Sequence, residues 1–266
     1  MRSQPTEEQL LSIAVAAAQA AASELVARFR RPAVDVRSKT TATDPVSAAD
    51  LAAEAAIRAV LTRERPGDAI LGEEGGESGG VSGLRWVVDP LDGTVNYLYG
   101  IAKVAVSVAC EDANGALAGV VLDPLGGDCF TATRSGHARL NDEVVEASSC
   151  AALERALVAT GFAYDAGVRR EQGAIVAALL PKVRDIRRAG SAATDLASCA
   201  AGRVDAYFER GVQAWDIAAG ALICSRAGLA VRMLAEVPPA EGRSALPFGI
   251  VVAPPALIDE LEQLVT

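Results

Sequence analysis

Asp89 and Asp92 stand at the end of an apolar run, Trp86-Val87-Val88, in the pattern Asp-Pro-Leu-Asp-Gly-Thr. Two carboxylates on one turn repel each other unless a cation lies between them. Hard divalent ions such as magnesium take oxygen ligands and keep waters that a substrate can displace. The apolar run reads as a buried parallel strand, and Pro90 and Gly93 force a tight turn that aims the acids out of its C-terminal end. Gly93 and Thr94 read as the opening of a helix, whose first N–H groups are free to hold a phosphate beside such ions. Taken alone, the pair serves equally well as a strand-end acid and a helix cap.

Two further segments supply acids of the same kind. Ile70 to Gly72 reads as a short strand that presents Glu73 and Glu74, ahead of a glycine-rich loop running to Gly83. That loop is too acidic for a phosphate cradle and lacks the Gly-Lys-Ser/Thr ending of a P-loop. From Gln213 to Gly228 an apolar helix is expected to begin at Asp216, which by itself is most simply an N-cap. His137 is the single histidine, so a multi-histidine zinc site is excluded; in its glycine-containing turn it reads as a surface residue. Cys110, Cys129, Cys150, Cys199 and Cys224 are odd in number, scattered and without a Cys-x-x-Cys pair, which suits reduced core residues.

Together, the run Trp86 to Tyr97, the run Trp215 to Gly220, Gly72-Glu73-Glu74, and Lys39 to Asp50 (KTTATDPVSAAD) resemble the inositol monophosphatase family of magnesium-dependent, lithium-sensitive sugar phosphatases. The likeness is greatest to the bacterial inositol-1-monophosphatase branch, through ILGEEGG, Ile186 to Ser191 and GRVDAYFERGVQAWD. It implies one domain, an αβαβα sandwich with the metal cluster at the seam between an α+β half (1–148) and an α/β half (149–266). It also implies that Glu73, Asp89 and the backbone carbonyl of Leu91 hold one magnesium, while Asp89, Asp92 and Asp216 hold a second, with Asp89 bridging. Paired ions in such sites lie about 3.5 to 4 Å apart. A loop shaped by Lys39 would complete a weaker third site with Glu73. Thr94 and Asp50 are implied as a relay that takes the proton of the attacking water, with Glu73 completing the catalytic set. Gly93 and Thr94 would hold phosphate oxygens through their N–H groups. Asp92, Gly190, Ser191, Ala192, Glu209 and Asp216 are placed around the substrate, Glu209 against a ring hydroxyl.

The activity so implied is hydrolysis of inositol 1-phosphate, a small polyol phosphate. The same chemistry on histidinol phosphate, fructose 1,6-bisphosphate, NADP or a 3′-phosphoadenosine nucleotide remains open, because function belongs to the pocket. A bisphosphate or nucleotide asks for extra cationic or stacking side chains, and Arg187, Arg188 and Tyr207 are the candidates. A binding role with the transcription machinery, known for some bacterial relatives, is a reading of a different class. One departure from the family is local: Leu234 to Leu246 reads as a Pro- and Glu-containing linker where relatives commonly carry a Gly-rich strand and turn.

The elements that must position these residues follow from capping and periodicity. Thr6 to Phe29 and Ser47 to Arg65 read as helices, each opened by a capping box, Thr6 with Gln9 and Ser47 with Asp50. Short β-rich runs from Val104 to Val145 alternate with turns and predict an antiparallel sheet. After Leu157 the order becomes strand, helix, strand, helix, which predicts α/β wiring through to Val265. The 266-residue chain can bury a sizeable core, and its net charge of −9 with dispersed basic residues argues against nucleic-acid binding. The Ala-rich stretch Ile13 to Ala22, interrupted by Gln19, reads as a globular helix rather than a membrane segment, so a cytoplasmic protein is expected. With hydrophobic residues at 51%, a homodimer that buries part of that surface is expected as well.

Overall fold

The computed structural model describes residues 5–30, 37–38 and 45–266. Lys39, and with it the loop assigned to a third metal site, lies outside the described residues. Helix α1 (Glu7–Arg28) opens on the expected box: the Thr6 hydroxyl accepts from Gln9 N at 3.2 Å, and the Gln9 side chain accepts from Thr6 N at 2.9 Å. By length and composition α1 could cross a membrane. Its Leu10, Ala14, Ala17, Ala18, Ala21 and Leu25 are nevertheless fully buried, in one cluster with α2 (Ala48–Glu64) and the first sheet, which is the behaviour of a core helix. A two-residue pair, β1 (Arg37–Ser38) and β2 (Pro45–Val46), lies between the helices.

The first sheet holds β3 (Ala69–Gly72), β4 (Gly76–Ser78), β5 (Arg85–Asp92), β6 (Ala105–Asp112), β7 (Gly115–Leu122), β8 (Cys129–Thr133), β9 (Arg139–Leu140) and β10 (Glu143–Val144), in the order β10-β9-β8-β7-β6-β5-β3-β4. The short helix α3 (Thr94–Leu98) follows β5. The second sheet holds β11 (Leu157–Thr160), β12 (Asp185–Arg187), β13 (Ala206–Arg210), β14 (Ala230–Leu234) and β15 (Gly249–Ala253), in the order β12-β11-β13-β15-β14. Helices α4 (Ala166–Leu179), α5 (Ala192–Ala200), α6 (Ala214–Arg226) and α7 (Ile258–Val265) connect and cover it.

Three apolar clusters give the layering. α1 and α2 bury their small side chains on one face of the first sheet around Trp86, Val88 and Val120. α5 and α6 lie between the sheets: Leu196, Ile217 and Ile223 meet Ala105, Val121 and Phe130 on one side and Tyr207, Ile250 and Val252 on the other. α7 packs Ile258, Leu261 and Val265 on the outer face of the second sheet, beside Leu179 of α4. The result is the expected αβαβα sandwich. Its middle layer is thin because small residues face each other; a methyl group on Gly119 would lie 3.0 Å from the Ala219 backbone of α6.

Four expectations change in detail. β5 is parallel to β3 but antiparallel to β6, so it is the hinge of a mixed sheet. The glycine-rich stretch after Glu74 is not all loop, since Gly76 to Ser78 return antiparallel on β3. The α/β wiring holds for β11, β12 and β13, which are parallel; β15 runs antiparallel to β13, and β14, absent from the expected order, adds the edge. α6 is the crossover that carries the chain from β13 to β14, parallel to it, and the reversal is made by the linker 235–248, which returns β15 antiparallel between the two. The linker after Leu234 forms isolated bridges, Val237 with Leu246 and Ala240 with Arg243. It is held by Arg210, which donates to Ala235 O and Pro247 O, and by Glu171, which accepts from Arg243 and Ser244 N.

Candidate active site

The register of β5 against β6 shifts between Asp89 and Asp92, where Pro90 has no N–H to give. That irregularity leaves Asp89 Oδ1 to accept Leu91 N at 2.9 Å while the chain curls to Gly93. Gly93 sits at φ 96°, and a methyl group there would lie 3.0 Å from Lys103 O. A side chain would be strained both by the backbone conformation and by the neighbour. Thr94 then opens α3, its hydroxyl 2.9 Å from Asp50 Oδ1 and 3.2 Å from Leu91 O. Asp50 is also the capping-box acid of α2: its Oδ2 accepts from Ser47 N at 2.9 Å and from the Ser47 hydroxyl at 2.6 Å. It does not line the cavity described below but stands behind Thr94.

The turn that presents Glu73 and Glu74 is built by a residue the sequence reading passed over. Glu54, on α2, is 3% exposed and accepts Glu74 N at 2.7 Å and Gly75 N at 2.9 Å. Arg58 completes the clamp, with Nε 2.6 Å from Glu54 and Nη2 2.6 Å from Gly76 O. Asp50 and Glu54 lie one helical turn apart on the buried face of α2, a spacing that puts both on the same side. That signal was available in the sequence.

The second half of the chain brings the remaining acids. Asp92 Oδ2 accepts the Ser191 hydroxyl at 2.7 Å and Ala193 N at 2.6 Å, so the start of α5 holds an acid from the first half. Asn96 ties the same strap down, donating to Lys103 O at 2.7 Å and Ala189 O at 2.8 Å. Asp216 is not the N-cap of its helix: α6 begins at Ala214, and Asp216 reaches back to accept Gln213 N at 2.6 Å. Glu209, at the end of β13, accepts the Tyr207 hydroxyl at 2.7 Å. A methyl group on Gly161 would fall 1.9 Å from its Oε2, so the glycine leaves the space that Glu209 occupies. Tyr207 is fully buried beneath Glu209 and offers no stacking face, while Arg187 is exposed, pairs with Asp185 and does not line the cavity described below.

These side chains converge on one cavity of 760 Å³, lined by Glu73, Asp89, Leu91, Asp92, Gly93, Thr94, Gly190, Ser191, Ala192, Glu209 and Asp216, with Arg188 as its only cation among the described residues. Burial pushes the Asp89 carboxyl well above its ordinary range, and the charges of Glu73, Asp92 and Asp216 push it further. Asp216 is raised in the same way, by burial and then Asp92. Asp92 is raised to about 6, burial outweighing the help of Ser191 and Ala193 N. Glu209 is raised to about 7, again by burial first. Asp195, on α5, is 3% exposed, has Oδ2 without a hydrogen-bond partner, and is raised to about 8 by burial and by Glu209 and Asp92. So many acids held against their own repulsion form a set that a bound cation would relieve.

The profile of the inositol monophosphatase family matches residues 6–264. The chain belongs to that family. An inositol-1-monophosphatase of Mycobacterium bovis is 43% identical over 235 residues, 85% of this chain and 79% of its own. A protein named Nus factor SuhB from Pseudomonas aeruginosa is 40% identical over 227 residues, 83% of this chain and 84% of its own. The crystal structure of the extragenic suppressor protein suhB from Bartonella henselae superposes with a TM-score of 0.86 at 34% identity, covering 97% of this chain and 98% of that one. The protein is therefore a phosphatase of a metal-dependent family.

The acids fit that chemistry. Asp89, Asp92 and Asp216 each spend one named oxygen on a protein donor, which fixes the carboxylate and leaves the other oxygen for a ligand. The set is placed rather than closed, since no three His, Cys, Asp or Glu side chains among the described residues already surround one point. Asp195, Gly161, Asn96 and Tyr207 complete the list of site-building residues that the sequence reading left unassigned or misplaced. Asp195 and Asn96 were not singled out in sequence, because Glu209 meets Asp195 only when α5 packs against β13, and Ala189 O meets Asn96 only when the two halves dock.

Proposed function

We propose that the protein hydrolyses inositol 1-phosphate to inositol and phosphate with magnesium, using two ions and a third, weaker site. Glu73, Asp89 and the Leu91 carbonyl would hold one ion, and Asp89, Asp92 and Asp216 the other. When bound, the metals supply a water of lowered pKa and positive charge for the leaving oxygen. The chain's own part begins with Thr94, whose hydroxyl stands 2.9 Å from Asp50 and can pass the proton of the attacking water to that carboxylate. N–H groups at the start of α3 are not consumed by the helix and can hold phosphate oxygens. Such positioning and charge stabilisation are most of what phosphoryl transfer asks of a protein.

The observation that carries the substrate assignment is Glu209. It is a half-buried carboxylate in the same cavity as the metal-binding acids, oriented by Tyr207 and suited to accept from a ring hydroxyl. Its test is kcat/KM for inositol 1-phosphate and for a small aryl phosphate, with wild type and Glu209→Gln. A loss of about 1 to 3 kcal/mol confined to inositol 1-phosphate supports the assignment. Equal loss on both esters would show that Glu209 serves the fold or the metals, and no loss on either would place the ring elsewhere.

Magnesium should activate and lithium inhibit in the millimolar range, as the family resemblance implies; calcium, with longer and looser coordination, should inhibit. We further place the protein in the cytoplasm as a homodimer, to be checked by fractionation and by sedimentation at micromolar concentration. A second reading, an added role in binding the transcription machinery, is favoured by the likeness to the Pseudomonas Nus factor. A pull-down from lysate with wild type and Asp89→Asn separates it from catalysis, because binding should survive loss of activity.

A further inference from the structure

Gly161 and Glu209 lie at the C-terminal ends of β11 and β13; a second concave surface lies at the other ends of the same strands. It is a crevice of 510 Å³ lined by Arg155, Arg184 and Arg203, with Ser149, Cys150 and Asp205 between them. Arg184 Nε donates to Arg155 O at 2.8 Å, which fixes the direction of its guanidinium. Arg203 is held by Asp128 at 2.6 Å, with its guanidinium carbon 5.5 Å from the centre of the Phe130 ring. Among the described residues neither Arg155 nor Arg184 has a carboxylate partner. Asp205 lines the same crevice but forms no ion pair with either of them among the described residues; it accepts from the Ser148 hydroxyl and, at 2.7 Å, from Leu157 N. In a chain of net charge −9 this is a place where positive charge is gathered and left with donors to spare.

We propose that this crevice binds a compact polyanion, a small molecule carrying two or more linked phosphates. Guanidinium forks match phosphate oxygens in pairs, and three arginines around one shallow, open crevice suit a short charged group better than a long strand. Phe130 is 4% exposed and lies against Arg203, so no open aromatic face is offered to a nucleobase. The site joins parts of both sheets, since Arg203 is anchored to Asp128 beside β8 while Arg155 and Arg184 flank β11 and β12. Its ligand should therefore tighten the junction between them.

The experiment uses the full chain freed of metal with EDTA, where the acidic active-site cavity repels phosphates. Calorimetric titration with tripolyphosphate should show one site per chain, accompanied by a rise in Tm. Arg155→Ser and Arg184→Ser should each weaken it about tenfold or more. Arg155 is exposed with no side-chain partner among the described residues, so its variant should fold and, with metal restored, turn over substrate as wild type does. Absence of binding at millimolar tripolyphosphate would overturn the proposal. So would binding that both variants leave intact, which would locate the anion outside this crevice, or a single-stranded oligonucleotide that binds more tightly than tripolyphosphate at equal salt.

Discussion

Thr94 and Asp50 are 44 residues apart in the chain and 2.9 Å apart in space. The same carboxylate caps α2 through its other oxygen, so the direction of the proposed proton relay would be set by the start of a helix. Replacing Ser47 by Ala should cost about 1 kcal/mol of stability and reduce turnover only modestly, because Asp50 still accepts from Ser47 N. Thr94→Val should do the opposite, lowering kcat by a factor of about 100 or more while unfolding by denaturant changes less. Wild-type turnover in Thr94→Val would remove the relay.

Asp89→Asn should leave a folded protein whose turnover is lower by orders of magnitude. In EDTA the variant should melt at a higher temperature than wild type, because a buried acid surrounded by Glu73, Asp92 and Asp216 has been made neutral. Near-normal metal-dependent activity in the folded variant would rule out Asp89 as a ligand.

Stability without metal should fall as pH rises. Asp92, Glu209 and Asp195 are raised to about 6, about 7 and about 8, each by burial first. An acid that holds its proton more tightly folded than unfolded contributes stability that is complete below the ordinary carboxylate range and is lost as pH passes through the raised value. The Tm in EDTA should therefore decline from about pH 5 to about pH 8, and saturating magnesium should flatten the decline by standing in for the protons. The surface pair of Asp112 with Arg134, both partly buried, acts in the opposite sense, with the Asp112 carboxyl lowered to about 2, and so lies outside this window. A Tm that climbs over the same range in EDTA would contradict the repulsion described for the site.

Gly161→Ala tests the space around Glu209. The added methyl would lie 1.9 Å from Oε2, so the carboxylate must leave its place beneath the cavity wall. KM for the ring-bearing substrate should rise, and stability should drop by about 1 to 3 kcal/mol from overpacking. An aryl phosphate should be hydrolysed nearly as before. If both substrates respond alike, Gly161 acts on the metal-binding acids instead.

Glu54→Gln should weaken metal binding without removing a ligand. Its carboxylate fixes the N–H groups of Glu74 and Gly75, and losing such a support typically lowers affinity by about tenfold or more. The measurement is the magnesium concentration for half-maximal activity; an unchanged value would mean the turn is held by its strand pairing alone.

The acids on the metal side were legible because they cluster within short segments: Asp89 and Asp92 on one turn, Glu73 and Glu74 on another, each bounded by glycine. Both capping boxes were legible for the same reason, since their partners are three residues apart. β14 was not, because Ala230 to Leu234 follows α6 after only a tight turn and its apolar pattern is short. The start of α6 was misjudged because Asp216 is a capping partner at the third helical position, where an acid looks much like an N-cap. Asp195 and Gly161 acquire meaning only through Glu209, whose neighbourhood forms when β11, β13 and α5 meet.

Asp92 is carried by β5 but held by Ser191 and Ala193 of α5. Glu73 and Asp89 come with the first sheet, and Asp216 comes with the middle layer. In the proposed assignment the first ion draws on the first half alone, whereas the second also needs Asp216, and Asp92 is aimed only after the other half has docked. On that assignment capture of the second ion would report assembly: a nascent chain with only its first half folded could hold the first ion, but activity would begin only when the sandwich closes.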